Sequence, residues 1–169
     1  MLRPYRPGDL DDLLAYSTDE RWQRFLPVPS PYTRADGERW IAESMAVDWH
    51  TSPRFAIEVE GRCSGGVDLR VDRAHAVAEI GYSLAPALWG RGLVVEAASA
   101  VITWAFEGLG MAKVRASADA ENHQSRRVQE KLGMQREGYF RSERVADGER
   151  RDVTWYGLLR EEWTPPATR

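Results

Sequence analysis

A short glycine-rich loop, Leu88-Trp89-Gly90-Arg91-Gly92-Leu93-Val94, contains the first residues whose spacing suggests chemistry. It lies between a run typical of a β-strand and a run typical of an α-helix. Glycines in such a place let backbone N–H groups face an anion, and the first turn of the helix adds partial positive charge. Arg91 could add a full charge. The loop therefore predicts a phosphate-type anion site, and a plain turn without a ligand is the alternative.

Two better-known phosphate-binding motifs do not fit this loop. A Walker A loop needs Gly-Lys followed by Ser or Thr, and that pattern is absent here. A dinucleotide-binding loop would need a small residue at Val95, where the helix packs closely on the strand. Its acidic partner should follow about 20 residues later, whereas Asp119 comes too late. We exclude the first motif and disfavour the second.

The elements that must position the loop can be predicted from periodicity and from turn residues. Helix Leu93–Glu107 separates strand Val77–Leu84 from strand Lys113–Ala118, so we expect these two strands to be parallel. The other predicted strands are Leu2–Tyr5, Phe55–Glu60, Gly65–Val71, Gln135–Arg144 and Arg150–Leu159, the last two joined at Asp147-Gly148. The other predicted helices are Asp9–Glu20, a helix capped by Thr33 that carries Trp40, Ile41, Met45 and Trp49, and Asn122–Leu132. The order predicts a mixed α/β sheet with helices on its faces.

Composition limits the class of protein. The chain has 169 residues, so we expect a single domain spanning 1–169. Its net charge of −3 argues against a nucleic-acid partner. Cys63 is the only cysteine, which excludes an internal disulfide and predicts a structural thiol. No run of about 20 apolar residues and no apolar leader are present, so we expect no membrane partner and a cytoplasmic setting.

Several motifs together resemble the GNAT superfamily of N-acetyltransferases, and most of all its RimJ/RimL-like branch of ribosomal-protein-alanine acetyltransferases. These motifs are Ala78-Glu79-Ile80-Gly81-Tyr82, Trp89-Gly90-Arg91-Gly92, Glu96-Ala97, Asn122-x-x-Ser125 and Lys131-Leu132-Gly133-Met134. The resemblance covers nearly the whole chain. It implies the GNAT fold: a mixed, mostly antiparallel central sheet with helices on both faces and a V-shaped split between the two parallel strands.

The resemblance also implies acetyl-CoA as co-substrate and no metal. The co-substrate would bind at the split. The residues expected to hold it are Leu84, Trp89, Gly90, Arg91, Gly92, Leu93, Val94, Asn122 and Ser125. The superfamily's loop pattern is (Gln/Arg)-x-x-Gly-x-(Gly/Ala), and it falls on Trp89, Gly92 and Val94. The two outer residues depart from that pattern.

Acetyl transfer to an amine needs a base, donors for the oxyanion and a proton for the leaving thiolate. The resemblance assigns the base to Glu79, and partial burial would raise its pKa toward a useful range. Many members of the family carry a tyrosine acid where this chain has Gln129, which cannot serve as an acid. Ser125 is therefore the expected proton donor, with water as the alternative.

The acceptor is implied to be a primary amine, either the α-amine of a protein N-terminus or a small amine such as a polyamine, an amino acid or an antibiotic. A CoA-binding module without catalysis is a third hypothesis. We expect the acceptor pocket among the first two helices, their proline-rich loop and the final hairpin. The candidate wall residues are Trp22, Phe25, Trp40, Trp49 and Tyr139. The exposed hairpin also offers an edge through which a homodimer could form.

Overall fold

The computed structural model describes residues 1–146 and 148–165. Its strands are β1 Leu2–Arg3, β2 Arg54–Val59, β3 Arg62–Asp72, β4 Val77–Leu84, β5 Lys113–Asp119, β6 Gln135–Ala146 and β7 Glu149–Leu159. Its helices are α1 Asp9–Ser17, α2 Glu20–Gln23, α3 Arg34–Met45, α4 Leu93–Glu107 and α5 His123–Lys131. Short 3₁₀ turns at Pro86–Leu88 and Arg160–Glu162 follow β4 and β7.

The strands are hydrogen-bonded in the order β1-β2-β3-β4-β5-β7-β6. Pairing is antiparallel between β1 and β2, β2 and β3, β5 and β7, and β7 and β6. Strands β4 and β5 are parallel, with Val77 opposite Lys113 and Glu79 opposite Arg115. The predicted mixed, mostly antiparallel sheet with one parallel pair is confirmed.

The chain divides into two compact units. The first unit comprises Met1–Arg70 and Gly81–Ala97, and the second comprises Val71–Ile80 and the chain from Ala98 onwards. Strand β4 and helix α4 each contribute residues to both. The expectation of one domain over 1–169 stays a prediction.

Packing in the first unit centres on aromatic and aliphatic side chains from α1 to α3. Leu13, Trp22, Tyr32 and Ile41 are buried together, and Trp40 packs against them. Helix α3 begins with the predicted cap: the Thr33 side chain accepts from the Asp36 N–H, and the Asp36 carboxylate accepts from the Thr33 N–H. This reciprocal pair satisfies two N–H groups that a helix start otherwise leaves without partners.

The second unit buries the small and aliphatic face of α4 together with β5 and β7. Its fully buried residues include Ala98, Val101, Ile102, Ala105, Phe106, Val114, Ala116, Val153 and Leu158. The alternation of buried and exposed residues along Lys113–Asp119 follows the period of a strand with one covered face. Alanines at the helix contact allow close approach, as their spacing predicted.

The structure departs from two predictions about the helices, and one prediction about a turn falls on a residue that it does not describe. The helix expected over Asp9–Glu20 ends at Ser17, because the Asp19 carboxylate accepts from the Arg21 N–H and begins the separate helix α2. The placement of Trp49 on the Thr33-capped helix is wrong, since α3 ends at Met45. Asp147, half of the predicted hairpin turn, lies outside the described residues.

Candidate active site

The glycine loop leaves the end of β4 through one turn of 3₁₀ helix and enters α4. Its Gly90 and Gly92 have φ values of 78° and 80°, in the left-handed region that favours glycine. The indole N–H of Trp89 donates to the backbone oxygen of Leu84 at 2.8 Å. This bond ties the loop to the end of the strand, so the loop has a fixed starting point.

The backbone N–H groups of residues 90–94 are the main polar feature of the loop. Within the part of the chain that the structure describes, none of these five residues donates its N–H to a protein acceptor. The first N–H groups of a helix have no acceptor inside the helix, and the macrodipole gives them partial positive charge. Arg91 is exposed at the same loop. The arrangement suits a phosphate or pyrophosphate anion.

Glu79 lies on β4 with a side chain 19% exposed. The register with β5 places Arg115 opposite it, and the Arg115 Nη2 lies 3.4 Å from the Glu79 Oε2. The same guanidinium lies over the ring of Trp155, 4.9 Å from its centroid. The contact joins two charged side chains on neighbouring strands.

Asn122 and Ser125 begin α5. The Asn122 side-chain oxygen accepts from the Ser125 N–H at 3.0 Å, so the asparagine caps the helix as its sequence predicted. The cap uses the oxygen of the amide and leaves its NH₂ group as a donor. Ser125 is half-buried in the first turn.

Gln129, one turn further along α5, is 1% exposed. Neither its side-chain oxygen nor its side-chain nitrogen has a hydrogen-bond partner among the described residues. A buried amide without partners costs free energy, about 1–3 kcal/mol for each orphaned group. The orphaned amide fits a ligand or water that carries both a donor and an acceptor.

Two of the expected wall residues belong to the core of the first unit. Trp22 is a core residue at 7% exposure, and Trp40 packs against the same core. The ring of Phe25 lies under the Arg24 guanidinium. The ring of Trp49 contacts that of Phe55 edge-on, with 5.1 Å between the ring centroids. Tyr139 is the most exposed of the five, at 47%, and it belongs to β6 of the second unit. We therefore regard Trp22 as structural.

Cys63 is 2% exposed, and burial raises the pKa of its thiol to about 11. An uncharged buried thiol is a poor nucleophile, as expected for a structural cysteine. Among residues 1–146 and 148–165, no group of three or more His, Cys, Asp or Glu side chains is placed to hold a metal ion. No helix in these ranges is both long and apolar enough to cross a bilayer.

Two features of the site were not predicted from the sequence. The Arg115 partner of Glu79 depends on the register between parallel strands that are 36 residues apart. The only signal in the sequence was that the third residue of each predicted strand is charged, Glu79 in one strand and Arg115 in the other. The burial of Gln129 was also missed, although its place between Arg126 and Leu132 on an amphipathic helix gave a weak indication.

The sequence and the fold match known acetyltransferases. Residues 1–135 match the family profile described as the acetyltransferase (GNAT) domain. One relative is YdaF of Bacillus subtilis (strain 168), whose provisional name is ribosomal N-acetyltransferase. It is 35% identical to this chain, and the match covers 96% of this chain and 92% of YdaF. A GNAT-family acetyltransferase from Bacillus anthracis superposes with a TM-score of 0.85 at 25% identity and 95% coverage of both chains. RimL, a ribosomal L7/L12 α-N-protein acetyltransferase solved with coenzyme A, superposes with a TM-score of 0.84 at 17% identity. The superposition covers 94% of this chain and 92% of RimL.

Proposed function

Because this chain belongs to the GNAT family of N-acetyltransferases, we propose that it transfers the acetyl group of acetyl-CoA to the α-amine of a protein N-terminus. In that reaction the amine nitrogen forms a bond to the acetyl carbon, and the bond from that carbon to sulfur breaks. The amine gives up a proton and the CoA thiolate gains one. The products are an N-terminal amide and free CoA.

The observation that carries acetyl-CoA as the donor is the row of N–H groups at residues 90–94. Their lack of protein acceptors, their position at the start of α4 and the exposed Arg91 support binding of the CoA pyrophosphate. Leu93 and Val94 contribute N–H groups from the first turn. Trp89 holds the loop against the strand end through its bond to Leu84.

The pantetheine arm would follow the last residues of β4, where Leu84 is buried and extended. We assign its other contacts to α5, with the Asn122 side-chain NH₂ as a donor to a pantetheine carbonyl. The orphaned amide of Gln129 is a second group whose hydrogen bonds an amide-bearing ligand or a water would satisfy.

Glu79 is our candidate for the general base. The attacking amine must be neutral, and an ionised carboxylate can accept its proton directly or through a water. The contact with Arg115 restricts the side chain. We assign Ser125 as the group that gives a proton to the departing thiolate. Water is the alternative proton donor.

The choice of a protein N-terminus rests on the relatives rather than on the acceptor residues. YdaF carries a ribosomal name at 35% identity over almost the full length of both chains. RimL shares the fold and is named for α-N-protein acetylation. A small amine as acceptor, and a module that binds CoA without catalysis, are the competing outcomes.

The function can be tested by following thiol release from acetyl-CoA with a panel of acceptors, and by confirming each product by mass spectrometry. The panel contains peptides with free N-termini, the same peptides with blocked N-termini, polyamines and aminoglycosides. We expect thiol release and a gain of one acetyl group only with the free N-terminal peptides. Transfer to polyamines or aminoglycosides alone would contradict the proposal, as would CoA binding without turnover on any acceptor.

The role of Ser125 is tested in the same assay with Ser125→Ala. A proton donor predicts that the folded variant turns over more slowly, since the departing sulfur would lose its acid. Full activity would assign that proton to water.

A further inference from the structure

A cleft of about 510 Å³ opens in the second unit between the end of β5, the start of α5 and the β6–β7 hairpin. This volume falls in the range typical of small-molecule sites, about 300–1,000 Å³. Its charged and aromatic lining includes Asp119, His123, Arg126, Arg136, Tyr139 and Arg150. Neither Asn122 nor Ser125 lines the cleft. Tyr139 and the hairpin belong to the expected acceptor pocket, but the function proposed above assigns no role to the arginines of this cleft.

Acidic side chains at the cleft already have donors within the protein. The Asp119 carboxylate accepts from the Glu121 N–H at 2.9 Å. Arg151 bridges two others, lying 3.6 Å from Glu121 and 3.1 Å from Glu149. One guanidinium thus faces two carboxylates at this side of the cleft.

One side of the cleft is held rigidly by a bulge in β6. The Tyr139 hydroxyl donates to the Asp152 carboxylate, and that carboxylate also accepts from the Ser142 N–H at 2.8 Å. Ser142 has a φ of 55°, a conformation that non-glycine residues adopt only when their surroundings impose it. Its carbonyl oxygen accepts from the Arg150 Nη1 at 3.0 Å. The network fixes both the tyrosine ring and the guanidinium in place.

Three guanidinium groups of the cleft form no ion pair within 4 Å among the described residues, although the charge of Glu130 acts on Arg126. Arg126 donates to the Tyr156 hydroxyl and to the Ala120 carbonyl. Arg150 donates to a carbonyl, and Arg136 lies over the Tyr139 ring at 5.6 Å from its centroid. Each guanidinium has five N–H donors in a planar fork that suits phosphate oxygens. Most of these donors lack an acceptor within residues 1–146 and 148–165.

We propose that this cleft binds a small ligand that carries a phosphate group. The fixed donors of Arg126, Arg136 and Arg150 would hold the phosphate, and the start of α5 at His123 adds partial positive charge. The half-exposed ring of Tyr139 offers a flat apolar surface for the rest of the ligand. Inorganic phosphate, pyrophosphate and a nucleotide share this chemistry.

The test is a titration of the full chain with pyrophosphate and, separately, with ADP, followed by residue-resolved NMR at constant ionic strength. We expect shifts of the amide signals of residues 119–123 and 136–152. Tighter binding of ADP than of pyrophosphate would identify a nucleotide, whose base uses the tyrosine ring. Equal binding would identify the phosphate group alone, and both results support the site.

The variants Arg136→Gln and Arg136→Gln/Arg150→Gln should weaken binding at these residues, the double variant by about tenfold or more. Arg160→Gln removes the same charge from an exposed arginine outside the cleft and should leave binding unchanged. The single variant matters because Arg136 has no hydrogen bond that supports the bulge. Shifts confined to residues 89–94, no shifts at all, or unchanged binding by the double variant would each overturn the proposal. None of these readouts depends on acetyl transfer, so failure here is distinct from failure of the proposed function.

Discussion

At the residue scale, the central feature is the contact between Glu79 and Arg115. A general base here would have to accept a proton from the amine, and the Glu79 carboxylate lies 3.4 Å from the Arg115 Nη2. Trp155 lies against the other side of the same guanidinium. The guanidinium that contacts Glu79, our proposed base, is thus itself held by a ring.

We predict that Glu79→Gln lowers kcat/KM by about 100-fold or more, the usual contribution of a general base. Acetyl-CoA binding should be unchanged, and the acidic limb of the pH–rate profile should disappear because the titrating carboxylate is gone. Steady-state rates across pH and a direct binding titration provide the two measurements.

The matched control for this variant is Glu137→Gln. Glu137 also forms an ion pair in the second unit, with Lys113, but it lies outside the candidate site. It should keep the pH profile of the parent protein. If Glu79→Gln kept that profile as well, Glu79 would not be the base.

At the element scale, the loop between β4 and α4 combines left-handed glycines with open backbone donors. Left-handed conformations at Gly90 and Gly92 turn the chain so that consecutive N–H groups remain without protein acceptors. A side chain at residue 92 would meet no atom within 4 Å. Substitution there consequently tests backbone conformation rather than packing.

We predict that Gly92→Ala weakens acetyl-CoA binding by about fivefold to tenfold, because an alanine in the left-handed region costs about 1–2 kcal/mol and displaces the N–H groups. Gly61→Ala is the control. Gly61 has a φ of 78° in the β2–β3 turn and equally open surroundings, so both variants should lose similar stability. Calorimetric titration compares their affinities, and equal affinities would exclude a binding role for the loop.

At the scale of the whole molecule, buried and capped carboxylates connect the fold to pH. Asp9 is 1% exposed and receives bonds from Arg3 at 2.7 and 2.8 Å. Burial alone would raise the pKa of Asp9, but the bonds from Arg3 and Arg6 outweigh it and hold the pKa below its usual value. Such a group stabilises the protein above its unfolded pKa, about 3.9, and loses that contribution as pH falls through the folded pKa.

We predict that the free energy of unfolding falls as the pH is lowered below about 4, and that Asp9→Asn makes this fall shallower. At pH 7 the variant should lose about 2–3 kcal/mol, because an amide replaces charge-assisted bonds to Arg3. Denaturant unfolding at pH 7 and pH 3 measures both effects. Parallel pH curves for the two proteins would contradict the assignment to Asp9.

Most elements could be predicted from local signals alone. The predicted bounds of β4 and α4 agree with the structure, because periodicity marks both elements and Gly92 and Gly108 flank the helix. The parallel order of β4 and β5 followed from the intervening helix. By contrast, the end of α1 at Ser17 was not predictable, because the polar-apolar pattern continues past it. The helix ends there because Asp19 caps the separate helix α2.

The candidate site was predictable only in part, since its residues come from different elements. Asn122 and the glycine loop have local signatures, and the structure places both where those signatures require. The bond from Trp89 to Leu84 and the Arg115 partner of Glu79 arise from geometry between distant segments. No pattern of single residues encodes such contacts.

Strand β4 also sets limits on how the length of this chain can vary over evolutionary time. It carries Glu79 and Leu84 on one continuous extended segment, so five steps of about 3.3 Å fix their separation. A single inserted residue between them would reverse the face of every side chain on one side of the insertion. Relatives that use Glu79 and the loop together should therefore tolerate insertions in the exposed turn at 73–76 but not within β4.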